Sequence, residues 1–153
     1  MDNHHIDELD KKILSIISKN ARTPFLEVAR ECGVSGAAIH QRVQRLTDMG
    51  VITGSEFIID PQKLGYKTCA FVGINLKKAC LYQDIADEFS KIPEIIECHY
   101  VTGNYSLFIK VLAHDNEHLR NILSNKLQRI DIIERTETII SLEESFHHQY
   151  PIE

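Results

Sequence analysis

The apolar residues of this 153-residue chain change their period once, and Pro61 and Gly65 stand at the change. Up to about residue 50 they recur every three to four positions, the stripe of amphipathic helices. From Tyr66 onward, long β-type runs alternate with helical stretches. Such a chain must bury helix stripes in one half and a sheet face in the other, which calls for two cores.

Three helices are expected in the first half. Asp7 is a good N-cap for a helix with Leu9, Ile13, Ile16, Ile17 and Asn20 on one stripe. Thr23-Pro24 reads as an N-cap followed by proline at the first helical position, ahead of Phe25, Val28, Ala29 and Cys32. Gly33 ends that helix. Ser35 caps a third, which runs to about Met49 and stops at Gly50. The segment 52–60, ITGSEFIID, has strand character and leads into the Pro61–Gly65 hinge.

The second half reads as β-α-β-β-α-β. Strands are expected at 66–76, 95–101, 105–113 and 132–142, and helices over 81–92 (through Leu81, Ile85, Phe89 and Ile92) and from the Asp115 cap onward (Leu119, Ile122, Leu123 and Leu127). Thr102-Gly103-Asn104 is the turn between the middle strands. This order predicts a ferredoxin-like antiparallel sheet with both helices on one face. The fold class is α+β: a winged-helix-like helix-turn-helix unit (1–50), a strand and linker (51–65), a ferredoxin-like unit (66–145) and a loose tail (146–153). The first of the four strands carries Thr68, Ala70, Val72, Ile74 and Leu76 on one face and their alternates on the other. One set meets the helices; the other is an exposed face suited to self-association.

Composition narrows the class. With 43% apolar and 25% charged residues the chain is an ordinary globular one. No apolar run reaches the roughly 20 residues that span a bilayer. The acidic start MDNHHIDELD lacks a signal-peptide pattern, so a soluble cytoplasmic protein without a membrane partner is expected. Cys32, Cys69, Cys80 and Cys98 are scattered, and His147-His148 lie in a polar tail, so no metal, disulfide or cofactor is expected. Net charge is −5, yet residues 19–47 hold five basic side chains against two acidic ones. A local positive stretch of that kind can grip a polyanion in a salt-sensitive way.

The second and third helices carry the sharpest pattern. Ala29 is small where two helices would cross, Gly33 takes the turn, and Ile39 plugs the pair from above. Ile39, Val43 and Leu46 mark the buried side of the third helix. Ala37, His40, Gln41, Gln44 and Arg45 then face a major groove, where glutamine suits adenine and arginine suits guanine or phosphate. Ser35 and the free N–H groups at the helix start suit a phosphate. Arg42, at the edge of the stripe, can pair with Glu27 or Glu31 as readily as with phosphate.

Across IDELDKKILSIISKNART, VSGAAIHQRVQRLTDMGVITG and VTGNYSLFIKV the chain resembles the Lrp/AsnC family of transcription regulators, and within it the asparagine-responsive branch. That resemblance implies an N-terminal DNA-binding domain and a C-terminal ligand-sensing domain. It also implies dimers assembled into octamers, double-stranded DNA as partner, and a free amino acid bound between dimers, asparagine first. The family's recognition helix follows Ser-x-x-Thr-Val-x-x-Arg. Ser35, Ile39 and Arg42 match it, while Ala38 stands at the threonine and lacks its hydroxyl. The implied effector site comprises Tyr100, Gly103, Asn104, Tyr105 and Ser106, with Gln128 near the end of the last helix and Thr136, Glu137 and Thr138 on the last strand. The residue types suit a zwitterion: Gly103 lets backbone amides approach a carboxylate, Ser106, Thr136, Thr138 and Gln128 are neutral hydrogen-bonding groups, and Glu137 could hold an ammonium.

Two other classes compete. A haem-biosynthetic decarboxylase of the same two-domain plan would need histidine and arginine around the central hairpin to hold an anionic tetrapyrrole, where this chain has Gly103 and Leu107. No G-x-G-x-x-G, P-loop or G-x-S-x-G motif is present, so no enzyme is expected. An assembly-only protein that binds a partner without DNA is the other alternative.

Overall fold

A computed structural model describes residues 5–78 and 82–152, which leaves the expected helical position Leu81, and Cys80, outside the described residues. The chain divides into two compact units, one running up to Ile58 and including the stretch from Phe146, the other Ile59–Ser145.

The first unit holds α1 (Glu8–Ile17), α2 (Phe25–Cys32) and α3 (Gly36–Asp48). Asp7 and Asp10 form a reciprocal capping box at the start of α1: each side chain accepts from the other's backbone N–H, at 2.9 and 3.1 Å. Pro24 itself, rather than Thr23, is the N-cap of α2. The Thr23 hydroxyl instead donates back to the Asn20 carbonyl at 2.8 Å, so the expected threonine cap is spent on the preceding turn. Gly33 closes α2 with a left-handed φ of 69°, a conformation that disfavours any side chain. Ser35 caps α3 by accepting from the Ala38 N–H at 3.1 Å. Ile13, Val28, Ala29 and Ile39 form the buried centre, with Leu9, Ile16, Phe25 and Val43 packed around it.

Residues 52–60 form no strand. Their β propensity finds no ladder partner among the described residues, and Ile58 is 93% exposed. The Arg22 guanidinium lies over the Phe57 ring, 5.5 Å from its centroid.

In the second unit, a short 3₁₀ turn (Pro61–Leu64) precedes β1 (Thr68–Leu76), α4 (Tyr82–Ser90), β2 (Ile95–Tyr100), β3 (Leu107–Ala113), α5 (Asn116–Asn121) and β4 (Ile133–Ser141). The sheet is antiparallel with order β2-β3-β1-β4, so β1 is central and β2 and β4 are edges. Strict alternation decides its faces. Ala70, Val72, Ile74 and Leu76 of β1 and Leu107, Ile109, Val111 and Ala113 of β3 are buried against Ile85 and Phe89 of α4, Leu119 of α5, and Ile122 and Leu127. The alternates Phe71 and Phe108 stack on the open face at 5.8 Å, and Ile139 opposes Phe71.

The last helix differs from its expected form. After Asn121 it widens into a π-helical turn, Ile122–Leu127, in which the Gln128 N–H reaches back to the Leu123 carbonyl at 2.9 Å. Lys126 in this turn donates to both oxygens of Glu94, at 2.7 and 2.8 Å.

Phe89 is fully buried at the centre of this core. Phe89→Ala is expected to destabilise the second unit by about 3–5 kcal/mol, because the cavity cannot close between sheet and helices. Denaturant unfolding of the full chain followed by circular dichroism measures it, and a loss under 1 kcal/mol would mean that the core repacks.

Candidate functional site

Helix α3 exposes Ala37, His40, Gln41 and Gln44, while Ala38, Arg42 and Arg45 are half-buried. The His40 ring stands edge-on to Phe25 at 4.5 Å. Gln44 donates to Asp48 at 2.8 Å, one turn along. Two shallow concavities flank the helix: one lined by His40, Gln41, Gln44, Arg45 and Asp48, the other by Asp7, Ala38, Gln41, Arg42 and Arg45.

The two arginines depart from the sequence expectation. Arg42 pairs with neither Glu27 nor Glu31; its Nη1 donates to Asp7 and, at 3.0 Å, to Asp10. Arg45, expected to point away from the buried side, donates through Nη2 to Asp10. Asp10 is completely buried, so both guanidinium groups are drawn toward α1 to compensate its charge. Changing Arg45 therefore cannot leave folding untouched. The signal was present in the spacing Asp7-x-x-Asp10, which was legible as a helix start but not as a partner for α3.

The expected effector residues fall on different surfaces. Gly103 has φ of 105° in the loop between β2 and β3, and a Cβ there would meet nothing within 4 Å. Its neighbours are tied to β1: the Asn75 side chain donates to the Asn104 carbonyl at 2.6 Å, the Ser106 N–H donates to the Ile74 carbonyl at 2.8 Å, and the Ser106 hydroxyl accepts from the Leu76 N–H at 3.2 Å. These bonds delay β3 to Leu107, two residues later than the expected start. Tyr105 crosses the open sheet face above Gly73 and donates to Glu137 on β4 at 2.7 Å. A Cβ at Gly73 would lie 2.6 Å from the Tyr105 ring, so the crossing requires a glycine beneath it. Thr136 and Thr138 pair with Ile74 and Val72, which puts them on the helix side of the sheet, opposite Glu137. Tyr100 is also on the helix side and stacks on Tyr82 at 4.2 Å. Gln128 is exposed at the end of the π turn. Sequence reasoning missed Asn75 and Gly73, neither of which lies near the loop in sequence.

A family model for the Lrp/AsnC ligand-binding domain matches residues 69–151, and one for a winged helix-turn-helix DNA-binding module matches residues 6–53. The chain belongs to the Lrp/AsnC family. The regulatory protein AsnC of Haemophilus influenzae is 46% identical over 140 residues, covering 92% of this chain and 93% of its own length. AsnC of Escherichia coli K12 is 42% identical over 143 residues, covering 94% of each. The structure of E. coli AsnC superimposes with a TM-score of 0.90 at 39% identity, covering 96% of this chain and 99% of that one. The feast or famine regulatory protein of M. tuberculosis, solved with L-methionine, matches with a TM-score of 0.90 at 25% identity over 97% of this chain and 100% of that one. This Lrp/AsnC member is a DNA-binding, effector-responsive regulator. Among the described residues no helix is long and apolar enough to cross a membrane.

The hydrogen bond from Arg42, then the Asp10 N–H, hold the Asp7 carboxyl at about 2, below its ordinary 3.8. A depressed carboxyl stabilises the fold above its unfolded pKa and loses that contribution as pH falls toward the folded value. Asp7→Asn should therefore lower the melting temperature at pH 7, and the difference from the parent should close between about pH 4 and pH 2. A gap that persists at pH 2 would show that the effect does not come from the ionised carboxylate. On the open face, the bond to Glu137 raises the Tyr105 phenol above its ordinary 10.0. This stabilises the neutral phenol, a contribution present below pH 10 and lost as pH rises further. Gly73→Ala should expel the ring, cost about 1–3 kcal/mol, and return the high tyrosine titration, followed by ultraviolet absorbance, to the normal range.

Proposed function

We propose that the effector of this regulator is a free amino acid, asparagine first, bound at the Gly103–Ser106 loop in an assembly of dimers that reaches the octamer. The loop carries this reading. Gly103 leaves backbone amides open to a carboxylate, with clear space above it. Asn104 offers a neutral side chain, in keeping with a neutral ligand, and Gln128, Thr136 and Thr138 are further uncharged candidates on the helix side. Glu137 is less available to an ammonium while Tyr105 donates to it. Support comes from the M. tuberculosis relative that holds L-methionine and from the resemblance to the asparagine-responsive branch.

In this reading the unit ending at Ile58 contacts DNA through the cap Ser35 and through Ala37, Ala38, His40, Gln41 and Gln44 of α3, and the unit from Ile59 senses the effector and assembles. The open face with Phe71, Phe108 and Ile139 is the surface a second copy would cover. The protein acts in the cytoplasm as a regulator rather than an enzyme, in line with relatives named as regulators.

Fluorescence anisotropy on DNA from its own upstream region, with a panel of amino acids, tests the proposal. Asparagine should shift the DNA affinity about 5- to 150-fold, the usual range of such couplings. Gly103→Val should abolish that shift and leave unliganded DNA binding intact. No response to any amino acid, or an unchanged response in Gly103→Val, would reject the site.

A further inference from the structure

Recognition helices often read guanine with arginine, which needs two adjacent N–H groups of one guanidinium aimed at O6 and N7. Arg45 has its Nε–Nη2 edge withdrawn from such a contact. Its Nη2 is bonded to Asp10, and its Nε is buried without a hydrogen-bond partner among the described residues. To turn that edge toward a base, Arg45 would have to abandon a carboxylate that is completely buried. Arg42 is held twice, with Nη1 shared between Asp7 and Asp10. Gln44 is engaged by Asp48. Gln41, which lines both concavities together with Arg45, is by contrast exposed and makes no side-chain hydrogen bond among the described residues.

We propose that Asp10, with Asp7, is a positioning residue for DNA reading: it holds Arg42 and Arg45 against α1, leaves Gln41 as the base reader of α3, and so selects adenine over guanine beneath that helix. The inference rests on the reading of α3 as the DNA-facing helix. Asp10 acts through the arginines and touches no base. Asp7 is partly open to solvent, with a side chain 43% exposed, so it is the weaker of the two restraints.

The experiment uses the full chain in two measurements: binding-site selection from a randomised duplex library, and affinity against salt concentration for the best site. The parent should select adenine at a position whose preference falls about 5- to 150-fold in Gln41→Ala. Asp7→Asn retains a capable helix cap and loosens Arg42. It should keep the adenine preference while steepening the logarithmic salt dependence by about 0.9 for each phosphate newly gripped. Asp10→Asn, where circular dichroism shows it folded, should gain a guanine preference; where it does not fold, Asp7→Asn carries the test. A guanine preference in the parent that Arg45→Lys removes would overturn the proposal, as would an unchanged salt slope in Asp7→Asn alongside an effect of Gln41→Ala. If Gln41→Ala and Asp7→Asn both match the parent, α3 does not face DNA and the underlying reading fails with the proposal.

Discussion

The alternation of small and branched residues along β1 governs the sensor unit, because this strand is hydrogen-bonded on both edges and meets different surroundings on its two faces. Ala70, Val72, Ile74 and Leu76 must all turn one way, and that side takes both helices. A slip of one residue would move the whole set into water. Once the register is set, Phe71, Gly73 and Asn75 are committed to the other face, and each has a use there. Phe71 stacks with Phe108, Gly73 admits the Tyr105 ring, and Asn75 ties down the loop that contains Gly103.

The helical unit depends on a different restraint. A buried carboxylate is costly unless it is paired, and Asp10 is paired by two arginines from a helix more than thirty residues away. The same residue closes the capping box with Asp7. One side chain therefore helps start α1, orients α3 and compensates two of its cationic groups. That pairing has a functional side: basic groups compensated by carboxylates contribute less to non-specific attraction for phosphate.

In the loop between β2 and β3, internal satisfaction shapes the proposed binding surface. Ser106 and the Asn104 carbonyl are already bonded to β1, and Glu137 already accepts from Tyr105. What stays open is the backbone around Gly103. In the proposed site a ligand carboxylate would approach the backbone at Gly103, where even an added Cβ would meet nothing within 4 Å. An ammonium seeking Glu137 would have to compete with a phenol.

Local chemistry along the chain was enough to establish the helices of the first unit, the turn at Gly33, the Ser35 cap and the β-α-β-β-α-β order, because caps, turns and periodicity act over a few residues. It also pointed to the Gly103 loop and the exposed side of α3. It could not show that 52–60 would stay unpaired, since a strand forms only where a ladder partner exists. Nor could it show that the final helix would widen into a π turn. The partners of Arg42 and Arg45, the crossing of Tyr105 over Gly73, and the separation of Glu137 from Thr136 and Thr138 were decided by tertiary structure. Each depends on residues distant in sequence arriving at one place, and electrostatic compensation and steric fit are settled only there.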